Sequence, residues 1–209
     1  ILAYFPALGF PLTEPRNYFF ANLLYMAVNF AVMLLIFRRT LWQSLREFEG
    51  KMLLSVLIGF GMCYGANLVL TTAYTVLDIM PENYNQEAVN SLLGGYPLAM
   101  TLCTVVLAPL AEECLFRGVL FAPLARRCLP AAYALSMFLF AGMHVFQFLG
   151  SMTAANTILC LSLYLPASFS LCWVYQKTGN IWACIFLHMF INFQSVLASL
   201  LRSLMQAFL

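Results

Sequence analysis

The 209-residue chain is 63% hydrophobic and only 9% charged, with a formal net charge of +2. Soluble domains carry about a quarter charged residues, so this composition excludes a water-soluble globular protein. The ten basic residues form no cluster, and we therefore expect no nucleic-acid partner.

Apolar segments recur along the chain in lengths that suit membrane-spanning helices. Residues 1–16 are apolar but interrupted by prolines, which indicates an interfacial segment or the end of an earlier one. Two other segments are not predicted to cross the membrane: an amphipathic, interfacial stretch at 41–51 and a polar loop at 78–95. Six spans are predicted, at about 18–37, 52–77, 97–125, 131–149, 152–176 and 181–201.

These elements predict an all-α fold, a polytopic transmembrane helix bundle forming a single integral membrane domain over 1–209. Lys and Arg residues favour the cytoplasmic side of membrane proteins. The loops after the first, third and fifth spans carry seven of them, against two on the other side. The sequence therefore predicts that these loops are cytoplasmic and that the acidic stretch 78–95 lies outside.

A few ionisable residues lie deep within the predicted spans, where a charge costs several kcal/mol and usually marks a functional site. The third span contains Glu112, Glu113 and Arg117, and both histidines of the chain are intramembrane, His144 and His188. Counted from the cytoplasmic ends of their spans, Glu112, His144, His188 and the nearby Asn192 fall at about 10–20 Å depth. Four polar groups from three helices can therefore converge near the middle of the bilayer.

Helical spacing gives these residues tentative roles. Glu113 and Arg117 are four residues apart and can form an ion pair on one helix face. Glu112 is turned about 100° from Glu113 and can face a cavity. His188 and Asn192 also share a face, and Pro109 removes a backbone donor just before the acidic pair, which predicts local distortion of the helix.

Purely structural interpretations exist for each of these residues taken singly. The Glu113–Arg117 pair could serve stability alone, a single intramembrane histidine is often a packing residue, and Asn192 could hold two helices together. The convergence of both histidines with the deep carboxylates favours a functional site.

Three short motifs occur in chain order on the third, fourth and sixth spans. EExxxR begins at Glu112, FxxxH ends at His144, and HxxxN runs from His188 to Asn192. Together they resemble the CPBP family, which comprises CAAX prenyl endopeptidases and the bacteriocin-processing or bacteriocin-immunity proteins of the Abi group. The resemblance covers a catalytic core of about 97–201.

The resemblance implies an intramembrane endopeptidase that cleaves a membrane-associated, prenylated or leader-peptide substrate. Glu112 with His144 would activate the attacking water, His188 and Asn192 would stabilise the oxyanion, and Glu113 and Arg117 would hold the geometry. We expect no cofactor, with Zn²⁺ as the alternative, because the family has also been described as metalloproteases. The expected partners are a peptide or protein substrate and the lipid bilayer, and the expected location is a bacterial plasma membrane.

Other protease classes fit less well. Asp78 is the only aspartate, which excludes a pair of membrane aspartates, and neither a GxSG serine motif nor HExxH is present. Two non-proteolytic alternatives remain. One is a catalytically idle scaffold that binds a membrane partner such as a sensor kinase, and the other is a proton-coupled transporter, since buried Glu and His residues also form proton relays.

Overall fold

The computed structural model describes residues 14–208, and within that range its regular structure is entirely helical. The predicted all-α fold is confirmed, while the expected interfacial segment at the N-terminus falls almost wholly outside the described residues. The helices are α1 (Pro15–Arg46), α2 (Met52–Val76), α3 (Tyr84–Gly95), α4 (Pro97–Ala125), α5 (Leu129–Val145, continued by a 3₁₀ segment Phe146–Ser151), α6 (Ala154–Thr178) and α7 (Ile181–Ala207).

Six of these helices are long and apolar enough to cross a bilayer, as predicted; α3 is the exception. Their outer faces are apolar too, since Leu35 and Ile36 are each 67% exposed and Val69 is 70% exposed. A soluble protein rarely exposes contiguous apolar surface on this scale, whereas lipid accepts it. The chain is therefore an integral membrane protein.

Helix α6 occupies the centre of the bundle and α1 its edge. In the most apolar 18-residue stretch of each helix, 39% of the residues are buried in α6 but only 11% in α1. Helices α2, α5 and α7 pack against α6, and α1 packs mainly against α4. At Gly59 of α2 the backbone comes so close to α6 and α7 that an added Cβ would lie 2.6 Å from Val174 Cγ2 and 2.9 Å from Leu187 Cδ2.

Helix α1 does not end at Arg38-Arg39, as the sequence suggested, but continues to Arg46. The predicted end of the helix before 41–51 is therefore wrong. Its residues are held by the start of α7: Asn180 Nδ2 donates to the Ser44 carbonyl at 2.7 Å and Trp182 Nε1 donates to the Leu41 carbonyl at 2.7 Å. Tertiary contacts thus extend a helix whose charges had indicated a boundary.

The acidic stretch 78–95 is not simply a loop, because most of it forms α3. Asn83 begins this helix: its side-chain oxygen accepts the Gln86 backbone N–H at 3.1 Å. An Asn followed three residues later by Gln matches the spacing of a capping box, a local signal that the reading by hydropathy overlooked. Helix α3 forms part of the wall of the cavity described next.

Candidate active site

The helix that carries the acidic pair is irregular, as Pro109 predicted. Its α-helical turns are interrupted by π-helical segments at Cys103–Leu107 and Cys114–Phe121. The Ala108 N–H bonds to the Cys103 carbonyl, and Pro109, five residues after Thr104, has no N–H to donate to the Thr104 carbonyl. Asn192 Nδ2 donates to that carbonyl instead, at 2.8 Å. The distortion of α4 therefore fixes the orientation of Asn192 on α7.

The predicted ion pair between Glu113 and Arg117 is present, and both side chains are fully buried. Arg117 Nη1 donates to Glu113 Oε1 at 3.1 Å, and Arg117 Nη2 donates to both the carbonyl and the hydroxyl of Ser168 at 3.1 Å each. The guanidinium carbon also lies 4.9 Å from the ring centre of Phe140. Arg117 thus links α4 to α6 and α5 at the level of the site.

His188 connects α7 to both carboxylates. Its Nδ1 lies 2.8 Å from Glu113 Oε1, and since that carboxylate also faces Arg117, the nitrogen is the donor. Its Nε2 lies 3.8 Å from Glu112 Oε2, beyond hydrogen-bonding distance. The histidine is only 3% exposed and lies behind the two glutamates.

A cavity of about 510 Å³ opens inside the bundle, with walls from α1, α3, α4, α5, α6 and α7. Glu112, His144 and Asn192 all line it. Glu112 is therefore turned towards the cavity while Glu113 is turned into the protein, as their angular separation on the helix indicated. Glu112 Oε2 has no hydrogen-bond partner within the described residues, although it is buried.

His144 is oriented by its own helix and by a residue that the sequence did not single out. Its Nδ1–H donates to the Phe140 carbonyl at 2.9 Å, so in the neutral ring Nε2 is an acceptor. Its ring stacks on that of Tyr164 with centroids 4.5 Å apart. The Tyr164 hydroxyl donates to Asn83 Oδ1 at 3.0 Å and accepts from Asn85 Nδ2 at 3.2 Å. A tyrosine in a span is usually a packing residue, so no sequence signal marked this one.

The six candidate residues therefore lie together but in two layers. Three line the cavity, namely Glu112, His144 and Asn192, and three are buried behind them, namely Glu113, Arg117 and His188. This geometry suits acid–base chemistry on a group in the cavity. The position of His188 differs from the expectation that it would face the reacting group alongside Asn192.

Comparisons with known proteins show which sequences this chain is similar to. The chain is 27% identical over 186 residues, or 85% of its length and 72% of the relative's, to a Bacillus subtilis (strain 168) protein named "Putative membrane peptidase YdiL". Residues 94–194 match the family model described as type II CAAX prenyl endopeptidase Rce1-like, and this range contains all six candidate residues. Over about half of its length the chain is therefore similar to the CPBP family that the three motifs indicated.

Both matches support a membrane peptidase. No solved structure matches the chain. The matched range begins within α3 and ends in α7, so the family model covers α4 to α6 in full. Helices α1 and α2 lie outside the range that matches the family model.

The side chains of the site do not form a ready metal centre. Within residues 14–208, no group of three or more His, Cys, Asp or Glu side chains is arranged to hold a metal ion. Glu113 Oε1 is already shared by Arg117 and His188. A catalytic Zn²⁺ normally has three protein ligands, so this arrangement of side chains does not fit one.

Proposed function

We propose that this protein is an intramembrane endopeptidase that hydrolyses a peptide bond in a membrane-associated, prenylated or leader-peptide substrate in a bacterial plasma membrane. The observation that supports it best is that Glu112, His144 and Asn192 line one cavity within the bundle. Each belongs to a different motif and, as a group, they provide proton acceptors and an amide donor.

In this mechanism Glu112 and His144 activate a water molecule. Glu112 lines the cavity with a carboxylate, and His144 presents Nε2, because its Nδ1–H is held by the Phe140 carbonyl. The water loses a proton to this pair as its oxygen attacks the scissile carbonyl carbon. The same proton is later given to the leaving amine, so one water is consumed and the two catalytic groups return to their starting states. General acid–base catalysis of this kind contributes about 10²–10⁴-fold in rate.

The tetrahedral oxyanion needs a donor fixed in advance. Asn192 has two amide N–H groups, of which one is donated to the Thr104 carbonyl. The second is available to the oxyanion, and the first holds the amide in place. His188, which the resemblance assigned to the same role, acts here through Glu113 and Glu112, because it is buried behind them.

Cleavage by purified protein in detergent tests this proposal. The probes are three internally quenched peptides: one with a farnesylated C-terminal cysteine, one leader-type peptide and one transmembrane peptide. We expect Glu112→Gln to lower the rate by at least about 100-fold. Glu49→Gln is the matched control, since Glu49 is exposed and pairs with Lys51 at the surface.

Each outcome has a defined meaning. Normal cleavage by Glu112→Gln contradicts the assigned mechanism. Loss of cleavage on chelation with restoration by Zn²⁺ overturns the metal-independent scheme while leaving the peptidase assignment intact. Failure of the wild type on all three probes favours the scaffold alternative.

A further inference from the structure

The cavity has a second polar wall, on helix α1, which lies outside the family match. One face of this helix lines the cavity through residues spaced four, three and four apart, namely Tyr18, Asn22, Tyr25 and Asn29. Asn22 and Asn29 are two turns apart on this face, about 10.5 Å along the helix axis. Two amides on one face of a peripheral membrane helix are costly unless they have a polar partner.

The hydrogen bonds of these asparagines leave most of each amide available. Asn22 Nδ2 donates to the Tyr18 carbonyl at 2.9 Å, and Asn29 Nδ2 donates to the Tyr25 carbonyl at 2.7 Å. Each bond uses one of two N–H groups and neither uses the amide oxygen. Both residues therefore present a donor and an acceptor at the cavity while their orientation is fixed by the helix.

The other described residues of the cavity wall add amides rather than charges. Asn85 and Gln86 of α3 and Gln147 after α5 contribute three more carboxamides. Glu112 and His144 are the only titratable acid and base among the lining residues described, and both belong to the catalytic set. No lysine, arginine or further acid of this wall is present to pair with a charged substrate side chain.

We propose that Asn22 and Asn29 bind the backbone of an extended substrate segment whose residues around the scissile bond are uncharged. This rests on the proposed peptidase function and names its substrate class. A peptide group has one donor and one acceptor, which an asparagine amide complements. A charged side chain in this site would be desolvated without a partner.

Leucine substitutions test the proposal, since leucine is similar in size to asparagine and lacks the amide. The variants are Asn22→Leu, Asn29→Leu and, as a matched control, Asn67→Leu. Asn67 also lies in a spanning helix, α2, but its amide is directed to Cys63 Sγ at 3.7 Å and it does not line the cavity. The probe is an internally quenched transmembrane peptide of leucine, alanine and serine, used also with single peptide bonds replaced by esters and with a lysine or glutamate beside the scissile bond.

We expect Asn22→Leu and Asn29→Leu each to lower kcat/KM by about fivefold, the effect of one hydrogen bond, and Asn67→Leu to leave it unchanged. Replacing the peptide bond that one of these asparagines binds by an ester should lower kcat/KM for the wild type. The same ester should cause no further loss in the variant that lacks that asparagine. A charged residue beside the scissile bond should lower wild-type kcat/KM by more than about tenfold. These results together would support backbone binding by α1.

Other outcomes overturn it. Equal kcat/KM for all three variants, or ester penalties that are the same in each, would show that the asparagines do not bind the substrate backbone. A wild type that cleaves lysine- and glutamate-bearing peptides equally well would refute the uncharged class. Either result leaves the peptidase function standing if the wild type is active and Glu112→Gln is not, whereas a wild type that is inactive on the farnesylated, leader-type and transmembrane probes alike contradicts the proposed function itself.

Discussion

Replacing Arg117 by methionine isolates the role of the buried ion pair, because methionine retains much of the apolar stem and removes the charge. Arg117 donates to Glu113 Oε1, to the Ser168 carbonyl and to the Ser168 hydroxyl, each at 3.1 Å. In the variant, Glu113 keeps its charge in a site with no exposure and retains only His188 as a donor. The bond between α4 and α6 is lost as well.

The expected loss of stability is large because the unpaired Glu113 carboxylate stays buried. Removing one partner of a buried ion pair typically destabilises a protein by about 3–5 kcal/mol. For a chain of this length, 1 kcal/mol shifts the unfolding midpoint by about 2–4 °C, so Tm should fall by about 10 °C. Adding Glu113→Gln to Arg117→Met should recover more than half of the loss, since the glutamine oxygen still accepts from His188 Nδ1–H and no charge is left unpaired.

Thermal unfolding in detergent, followed by tryptophan fluorescence, measures these differences. Arg126→Met is the matched control, because Arg126 is exposed at the end of α4 and should change Tm little. A Tm for Arg117→Met equal to that of Arg126→Met would refute the structural role of the ion pair. A double variant less stable than the single one would refute the argument from the unpaired carboxylate.

Two further predictions concern helix packing and the orientation of His144. Gly59→Ala should lower the free energy of unfolding by about 1–3 kcal/mol, because the added Cβ would collide with Val174 and Leu187. Gly61→Ala is the control, since a Cβ there has no atom within 4 Å, and it should leave stability unchanged in thermal unfolding. Tyr164→Phe keeps the ring stacked on His144 and should retain kcat within about threefold, whereas Tyr164→Leu should lower kcat by about tenfold. Equal kcat for the two Tyr164 variants would show that the stack does not position the histidine.

The location of the spans was accessible from the sequence because hydropathy and length are properties of each segment alone. The six long helices appear where apolar runs of sufficient length predicted them. The distortion of α4 was accessible too, because Pro109 cannot donate a backbone hydrogen bond in any fold. The Glu113–Arg117 pair followed from spacing within one helix, and the structure contains it.

Two predictions of helix boundaries were wrong. In one a tertiary contact overrides the local charge pattern, and in the other a capping residue begins a helix in a polar segment. Charges at Arg38 and Arg39 suggested the end of a helix that packing against α7 extends to Arg46. The polarity of 78–95 suggested a loop, although Asn83 caps a helix there. The physical cause is that charge and polarity indicate whether a segment is exposed to water, whereas the end of a helix depends on which backbone N–H and C=O groups form hydrogen bonds.

By itself, the sequence determined the membrane class, the six spans and the set of polar residues that must avoid lipid. Only the tertiary structure decided which of those residues share the cavity and which lie behind it. It also placed Tyr164 against His144 and the α1 asparagines in the wall of the same cavity. The physical reason is that hydrophobicity is a sum over residues, whereas a site is a set of distances between helices far apart in the chain.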